Sequence, residues 1–183
     1  MAFNIEEIRS QLALGGARPT LFQVTITNPV NGVADLKTPF MVRAASVPSS
    51  DLGTIRVPYF GRRIKLAGDR TYDPWSVIVM NDEDFLIRNA LEQWSHAINS
   101  AQGNLRTLGS PSPLLYKSTA EVTQFSKIGN PIRTYKFTGL YPSVVSPMEL
   151  DWGTENTIQE FRVTFEYDYW EVSGGITGNA GGI

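Results

Sequence analysis

Ile158-Gln159-Glu160-Phe161-Arg162-Val163-Thr164-Phe165-Glu166-Tyr167-Asp168-Tyr169-Trp170-Glu171 is the clearest run of alternating character in the sequence. Phe161, Val163, Phe165, Tyr167 and Tyr169 fall on one side of a period of two. Glu160, Arg162, Thr164, Glu166 and Asp168 fall on the other, and Trp170 is the single exception. Side chains on a strand point alternately to its two faces, so the run predicts one long strand with a dry face and a wet face. A long strand edge pairs with other chains unless something covers it, so the run also points to an oligomer.

The segments around it are mostly of the same kind. Leu21–Thr27, Phe40–Val47, Trp75–Val79, Thr119–Lys127 and Arg133–Tyr141 are rich in β-branched and aromatic residues and end at Pro, Gly or Asn turns. Ser143–Leu150 is a weaker strand. Within the loosely patterned Ser46–Arg70, Thr54–Tyr59 and Arg62–Leu66 flank Phe60-Gly61 and predict a long hairpin. The period changes after Asn81. Asp82, Glu83 and Asp84 suit a helix start, with Asn81 as its cap. Ile87, Leu91, Trp94 and Ile98 form one stripe, widened by Leu86, Ala90 and Ala97, which predicts a helix over Asp82–Asn99. A shorter amphipathic pattern over Asn4–Leu14, capped by Asn4, stops at Gly15-Gly16. Many strands and one substantial helix predict a mainly β fold, an antiparallel sandwich or small barrel with a helix packed on it and a long extended hairpin.

The chain has 183 residues, enough for one domain, assigned to residues 1–172, with residues 173–183 a flexible glycine-rich tail. It has no cysteine and a single histidine, which excludes thiol nucleophiles, disulfides and Cys- or His-rich metal sites. Sixteen basic and eighteen acidic residues leave a formal charge of −2, unlike the basic excess of a dedicated nucleic-acid binder. No apolar stretch is long enough for a membrane anchor and the N-terminus is no signal peptide, so the expected place of synthesis is the cytoplasm.

Candidate chemistry is sparse. His96 lies on the predicted helix with Glu92 one turn before it, a base with one orienting group and no nucleophile. Asp69, Asp73, Asp82, Glu83 and Asp84 are an acidic group that includes Arg70; they lack the spacing of a calcium loop, and the last three suit a helix start. No phosphate-binding or nucleophile-elbow motif occurs. No catalytic residue, cofactor or metal is therefore expected, and the chain is not expected to be an enzyme. Arg56, Arg62, Arg63 and Lys65, with Tyr59 and Phe60 between them, make the single basic–aromatic cluster. It suits a protein interface, a solvated face or single-stranded nucleic acid, and an exposed hairpin carrying Arg and Tyr favours the interface. On residues alone the reading stops at a non-enzymatic β-rich module that oligomerises.

Three stretches are more specific. They are Ala17-Arg18-Pro19-Thr20-Leu21-Phe22-Gln23-Val24; Arg63 to Trp75, containing Ala67-Gly68-Asp69-Arg70-Thr71-Tyr72-Asp73-Pro74-Trp75 and running on to Asp82; and Leu150-Asp151-Trp152 followed by Ile158–Glu171. In this order they resemble the tail tube proteins of contractile-tailed, T-even-like bacteriophages over nearly the whole chain. The Val30–Thr38 insertion, the Gly109–Leu114 loop and the tail after Glu171 look less like that family. The resemblance implies two packed antiparallel sheets with a flanking helix, related in fold to the type VI secretion tube protein. It implies six-subunit rings stacked into a hollow conduit for DNA ejection, in a virion tail assembled in the host cytoplasm. The implied partners are further copies of the chain, a tail sheath protein, and baseplate and tape-measure or tail-completion proteins, with DNA passing through unbound. The alternative it leaves is the inner tube of a phage-like injection or type VI secretion machine. It also implies that the hairpin, with Arg56, Tyr59, Phe60, Arg62 and Arg63, is the ring-stacking arm. The polar strand face with Glu160, Arg162, Glu166 and Asp168 is a candidate lining of the bore.

Overall fold

The alternating run forms two strands, not one. The computed structural model describes residues 5–12, 15–106 and 112–174; Asn4, Leu14, part of the Gly109–Leu114 loop and nearly all of the glycine-rich tail lie outside them. Glu160–Glu166 is one strand and Tyr169–Val172 the next, and both pair antiparallel with the same long strand, Pro131–Val145. The break sits opposite Gly139, whose φ is 76°. A Cβ there would stand 2.0 Å from Asp168 Oδ2, so the close approach of Asp168 requires glycine. The pleat changes phase across the break. Phe161, Val163 and Phe165 are buried before it; after it Tyr169 turns outward, Trp170 packs on the core and Val172 is buried. Trp170 is thus the start of a second phase, not an exception within one.

In chain order the strands are β1 (Phe22–Ile26), β2 (Val42–Ala45), β3 (Ser50–Tyr59), β4 (Arg62–Tyr72), β5 (Trp75–Met80), β6 (Ser118–Phe125), β7 (Pro131–Val145), β8 (Glu160–Glu166) and β9 (Tyr169–Val172). The bent β7 belongs to two sheets, β1-β6-β7-β9 and β7-β8-β5-β2, all antiparallel. This makes a sandwich with one shared corner strand. It also corrects the two separate strands expected at Arg133–Tyr141 and Ser143–Leu150, since β7 joins them and ends at Val145. Between β7 and β5, β8 is an interior strand, so the open edge expected of the run is filled within the chain over Glu160–Glu166, whereas β9 pairs with β7 alone and ends its sheet.

Trp75, at the start of β5, is fully buried and stacks on Phe137 at 4.4 Å between ring centroids, with Phe165 at 5.5 Å. Val77, Val79 and Val163 extend this layer toward Val24 and Val122 of the other sheet. Burying each large apolar side chain contributes about 1.5–3 kcal/mol. Helix α3 (Leu86–Ile98) covers the open side with Ile87, Ala90, Leu91 and Trp94, and the Trp94 indole donates to the Tyr116 carbonyl at 2.8 Å. Asn28 is buried beneath it: its amide donates to the Ala90 carbonyl and its oxygen accepts from Val30 and Asn31. The turn after β1 is thereby fastened to α3.

Two other expectations need correction. The helix begins at Leu86, not Asp82, after Phe85 in a left-handed conformation with φ 52°. Asp82 and Asp84 are drawn aside by Lys37; the N-cap position falls to Phe85, which makes no side-chain cap bond, and Asp84 Oδ1 accepts from the Leu86 amide, satisfying one of the free amides of the first turn. Asn81 does not cap; its side chain bonds Gln159. The expected strand Phe40–Val47 starts as a helical turn, α2 (Thr38–Met41), before β2. Pro39 lies in the first turn, where its fixed φ favours the helix, and Thr38 Oγ1 donates back to Ala34. The N-terminal pattern gives α1 (Ile5–Gln11), none of whose residues is buried.

Candidate assembly surface

Strands β3 and β4 form a two-stranded sheet of their own, longer than the Thr54–Leu66 core read from sequence. At about 3.3 Å per residue, such a hairpin spans roughly 30 Å. Its base is fixed by Tyr72, which contacts the rings of Tyr167 and Trp170 at 5.9 and 6.4 Å. The Tyr167 hydroxyl donates to the Asp73 carbonyl at 2.6 Å, and burial, with Asp73 nearby, holds that phenol protonated well above the usual range. Gly53 faces Gly68 and Asp69 where the register shifts, a close approach that a side chain would crowd.

The register divides the hairpin into two faces. Ile55 pairs with Leu66, Val57 with Ile64 and Tyr59 with Arg62, so these share one largely apolar face. Arg56 pairs with Lys65 and Pro58 with Arg63, which makes the other face basic. The five residues singled out in the sequence are on one hairpin, but Arg56 and Arg63 are across the sheet from Tyr59 and Arg62. Phe60 is at the tip, 92% exposed, and touches Tyr59 edge-on at 4.7 Å. The turn has φ 41° at Phe60 and 76° at Gly61. A two-residue turn with both φ positive favours Asn-Gly, and a bulky residue there is strained. The chain thus holds an exposed aromatic ring in a costly conformation, the kind of strain that accumulates at functional positions.

The candidate bore lining does not form one strand face. Glu160, Arg162 and Glu166 share the outer face of β8, whereas Asp168 lies in the break before β9. Glu160 is bridged by Arg43 at 2.8 Å and Asp168 by Lys117, so two of the three acids are neutralised within the chain. Arg43 and Lys117 come from β2 and the loop before β6, and nothing in the spacing of the sequence brings them there.

The remaining candidates separate. Asp69 and Asp73 sit at the hairpin base, and Asp82 and Asp84 share Lys37. Those hydrogen bonds hold both carboxyls below their usual pKa and the Lys37 ammonium above its own. Arg70 donates to Ser50 Oγ and not to the acids. Glu92 pairs with Arg88 at 2.7 Å instead of orienting His96, which is exposed. Among the described residues no three His, Asp or Glu side chains gather as a metal site, and no helix is long and apolar enough to cross a membrane.

What stands out is an unburied arm on a well-packed sandwich. A family model described as phage tail tube protein matches residues 17–173. The chain belongs to the phage tail tube protein family. It is 38% identical over 156 residues to the tail tube protein gp19 of Enterobacteria phage T4, covering 85% of this chain and 91% of that protein. Among solved structures, the tube-terminating cap of the anti-feeding prophage aligns with a TM-score of 0.64 at 16% identity, over 86% of this chain and 91% of that one. A chain of the PVC sheath–tube complex aligns with a TM-score of 0.55 at 15% identity, over 90% and 96%. At these identities the likeness is one of fold, and the fold is the two-sheet sandwich described above.

Proposed function

We propose that this protein is the repeating subunit of the inner tube of a contractile phage tail, a structural component of the virion with no catalytic step and no cofactor. Subunits close into six-membered rings, and the rings stack into a conduit through which DNA leaves. A sheath surrounds the tube, and it ends on baseplate and tail-completion proteins. The observation that carries this reading is the 38% identity to a phage tail tube protein over 85% of the chain. The hairpin supports it: Ile55, Val57, Tyr59, Ile64 and Leu66 are 40% to 61% exposed in the single chain and need a partner. Electron microscopy of the purified protein tests it. Rings or tubes without added cofactor are expected; a stable monomer at high concentration across salt and pH overturns it.

A second reading, the tube of a phage-like injection machine, has the fold likeness at 15–16% identity behind it. Capsid and terminase genes beside this one decide for the phage tail, and secretion ATPase genes decide against it.

A conduit must release its DNA. Six subunits of charge −2 carry about −12 per ring, and tight phosphate binding needs many Lys and Arg contacts. Assembled tubes are expected to show no affinity for duplex DNA at physiological salt in a sedimentation assay. Micromolar binding with a steep salt slope would make the Arg56–Lys65 face a nucleic-acid site.

A further inference from the structure

Helix α1 is seven residues long, and none of its residues is buried. So short a helix is not stable in water by itself and needs a surface to lie on. Its sequence describes that surface. Ile5, Ile8 and Leu12 recur at i, i+3 and i+7 and form one stripe, exposed along its length. Arg9 borders the stripe, one turn from both Ile5 and Leu12, whereas Glu6 and Glu7 lie on the far side of the helix. Such a helix fits an apolar groove with an acidic edge.

The body carries such a groove. The segment between β7 and β8, Ser146–Gln159, encloses it against the second sheet, with a volume of about 820 Å³. Leu150, Trp152 and Ile158 line it, and all three are exposed. Glu149 and Asp151 line it too, and neither has an ion-pair partner among the described residues. Arg162 is the one cation of the lining. Stripe and groove are both open in the single chain, so α1 does not fill the groove of its own copy.

We infer that this groove receives helix α1 of a second copy of the chain. Ile5, Ile8 and Leu12 pack on Leu150, Trp152 and Ile158, and the Arg9 guanidinium binds the Glu149 carboxylate. An amphipathic helix laid in an apolar groove is a recurring mode of recognition, and the planar fork of Arg suits a carboxylate. Asp151 is less available to Arg9, because it already accepts from the Gly153 amide. The contact uses no residue of the hairpin. It adds a tether made by a segment that precedes the family match at residues 17–173. The inference rests on the tail-tube reading, in which each copy has neighbours of its own kind.

Cross-linking between copies tests it, since the chain has no cysteine of its own. Full-length Ile8→Cys and Leu150→Cys chains, each altered at an exposed position, are mixed, assembled and treated with a short bis-maleimide. Linked dimers are expected at a yield at least tenfold above that of Ile8→Cys mixed with Lys127→Cys, whose thiol sits on the exposed β6–β7 turn. Adding Arg9→Glu to the first chain should lower the yield at least fivefold, and Glu149→Arg in the second should restore it. Thermal melting checks that every variant folds as the wild type does. Tubes that link no better than the Lys127→Cys control overturn the contact, as does an Ile8→Cys/Leu150→Cys chain that links only within itself. Failure of Glu149→Arg to restore the yield overturns the pairing of Arg9 with Glu149. Wild-type protein that forms neither rings nor tubes would instead overturn the tail-tube reading, and dimers linked in that sample would support the contact in a smaller assembly.

Discussion

Val77 on β5 and Val57 on β3 are both strand valines, yet the first is 0% exposed and the second 40%. The sandwich covers its apolar face with its own second sheet and with α3. The hairpin has an apolar face of similar make, and none of the described residues covers it. The same residue type therefore acts on different equilibria in the two regions: folding in the body, association in the arm. Substitutions should separate along that line, with large effects on melting in one region and on assembly in the other.

The largest effect is expected at the centre of the sandwich. Trp75→Ala removes the ring that stacks on Phe137 and lies tilted against Phe165, and truncating a buried aromatic costs about 3–5 kcal/mol. Denaturant unfolding should show that loss in the monomer. A loss no larger than that of Tyr59→Ala would break the distinction between body and arm.

Gly139→Ala should come next. The new methyl would meet the Asp168 carboxylate at 2.0 Å, and the φ of 76° is strained for any side chain. A cost of about 1–3 kcal/mol follows. Asp168→Gly in the same chain should recover part of it by removing the clash, though not the backbone strain. Full recovery would mean that φ at 139 is unimportant.

How much of this was legible in the sequence follows the same division. The period of two in β5 and β8 and the helical stripe of α3 could be read because one buried face imposes them. The break at Asp168 could not, since both phases of the pleat carry aromatic residues and the bend is set across the sheet by Gly139. The start of α3 is not legible locally, because Asp82 and Asp84 satisfy a local helix rule but are claimed by Lys37, remote in sequence. At the candidate interface, composition located the hairpin but not its two faces, which depend on register.

Phe60→Gly sharpens the comparison because its two effects have opposite signs. Glycine relieves the left-handed strain in the turn, which for an ordinary residue is roughly 1–2 kcal/mol, so the monomer should melt no lower than wild type. Assembly should nevertheless weaken, since the ring at the tip is lost. A variant that melts lower and still stacks normally would show Phe60 to be a folding residue.

The smallest effect belongs to Lys37, a surface ion pair within the body. Its ammonium binds Asp82 and Asp84, whose carboxyls it holds below the usual 3.8, while its own value is raised above 10.5. The sign of each contribution follows from linkage. A depressed carboxyl stabilises the fold above its unfolded value and loses that stabilisation as pH falls through the lower folded value. A raised ammonium stabilises below its unfolded value and loses it as pH rises through the higher folded one. The triad therefore acts between about pH 4 and pH 10.5. Asp35 works in the other direction on the acid side. Burial raises its carboxyl despite the bond from the Asn28 amide, so protonation favours the folded form there as pH falls. Comparing Lys37→Met with wild type cancels the Asp35 contribution, which both chains share. The difference in melting temperature should be small at pH 7, shrink as pH falls below the unfolded carboxyl value near 4, and diminish in high salt because both carboxylates are exposed. A difference as large at pH 2 as at pH 7 would mean that Lys37 stabilises the chain by packing its methylene stem against α2, and not by its charge.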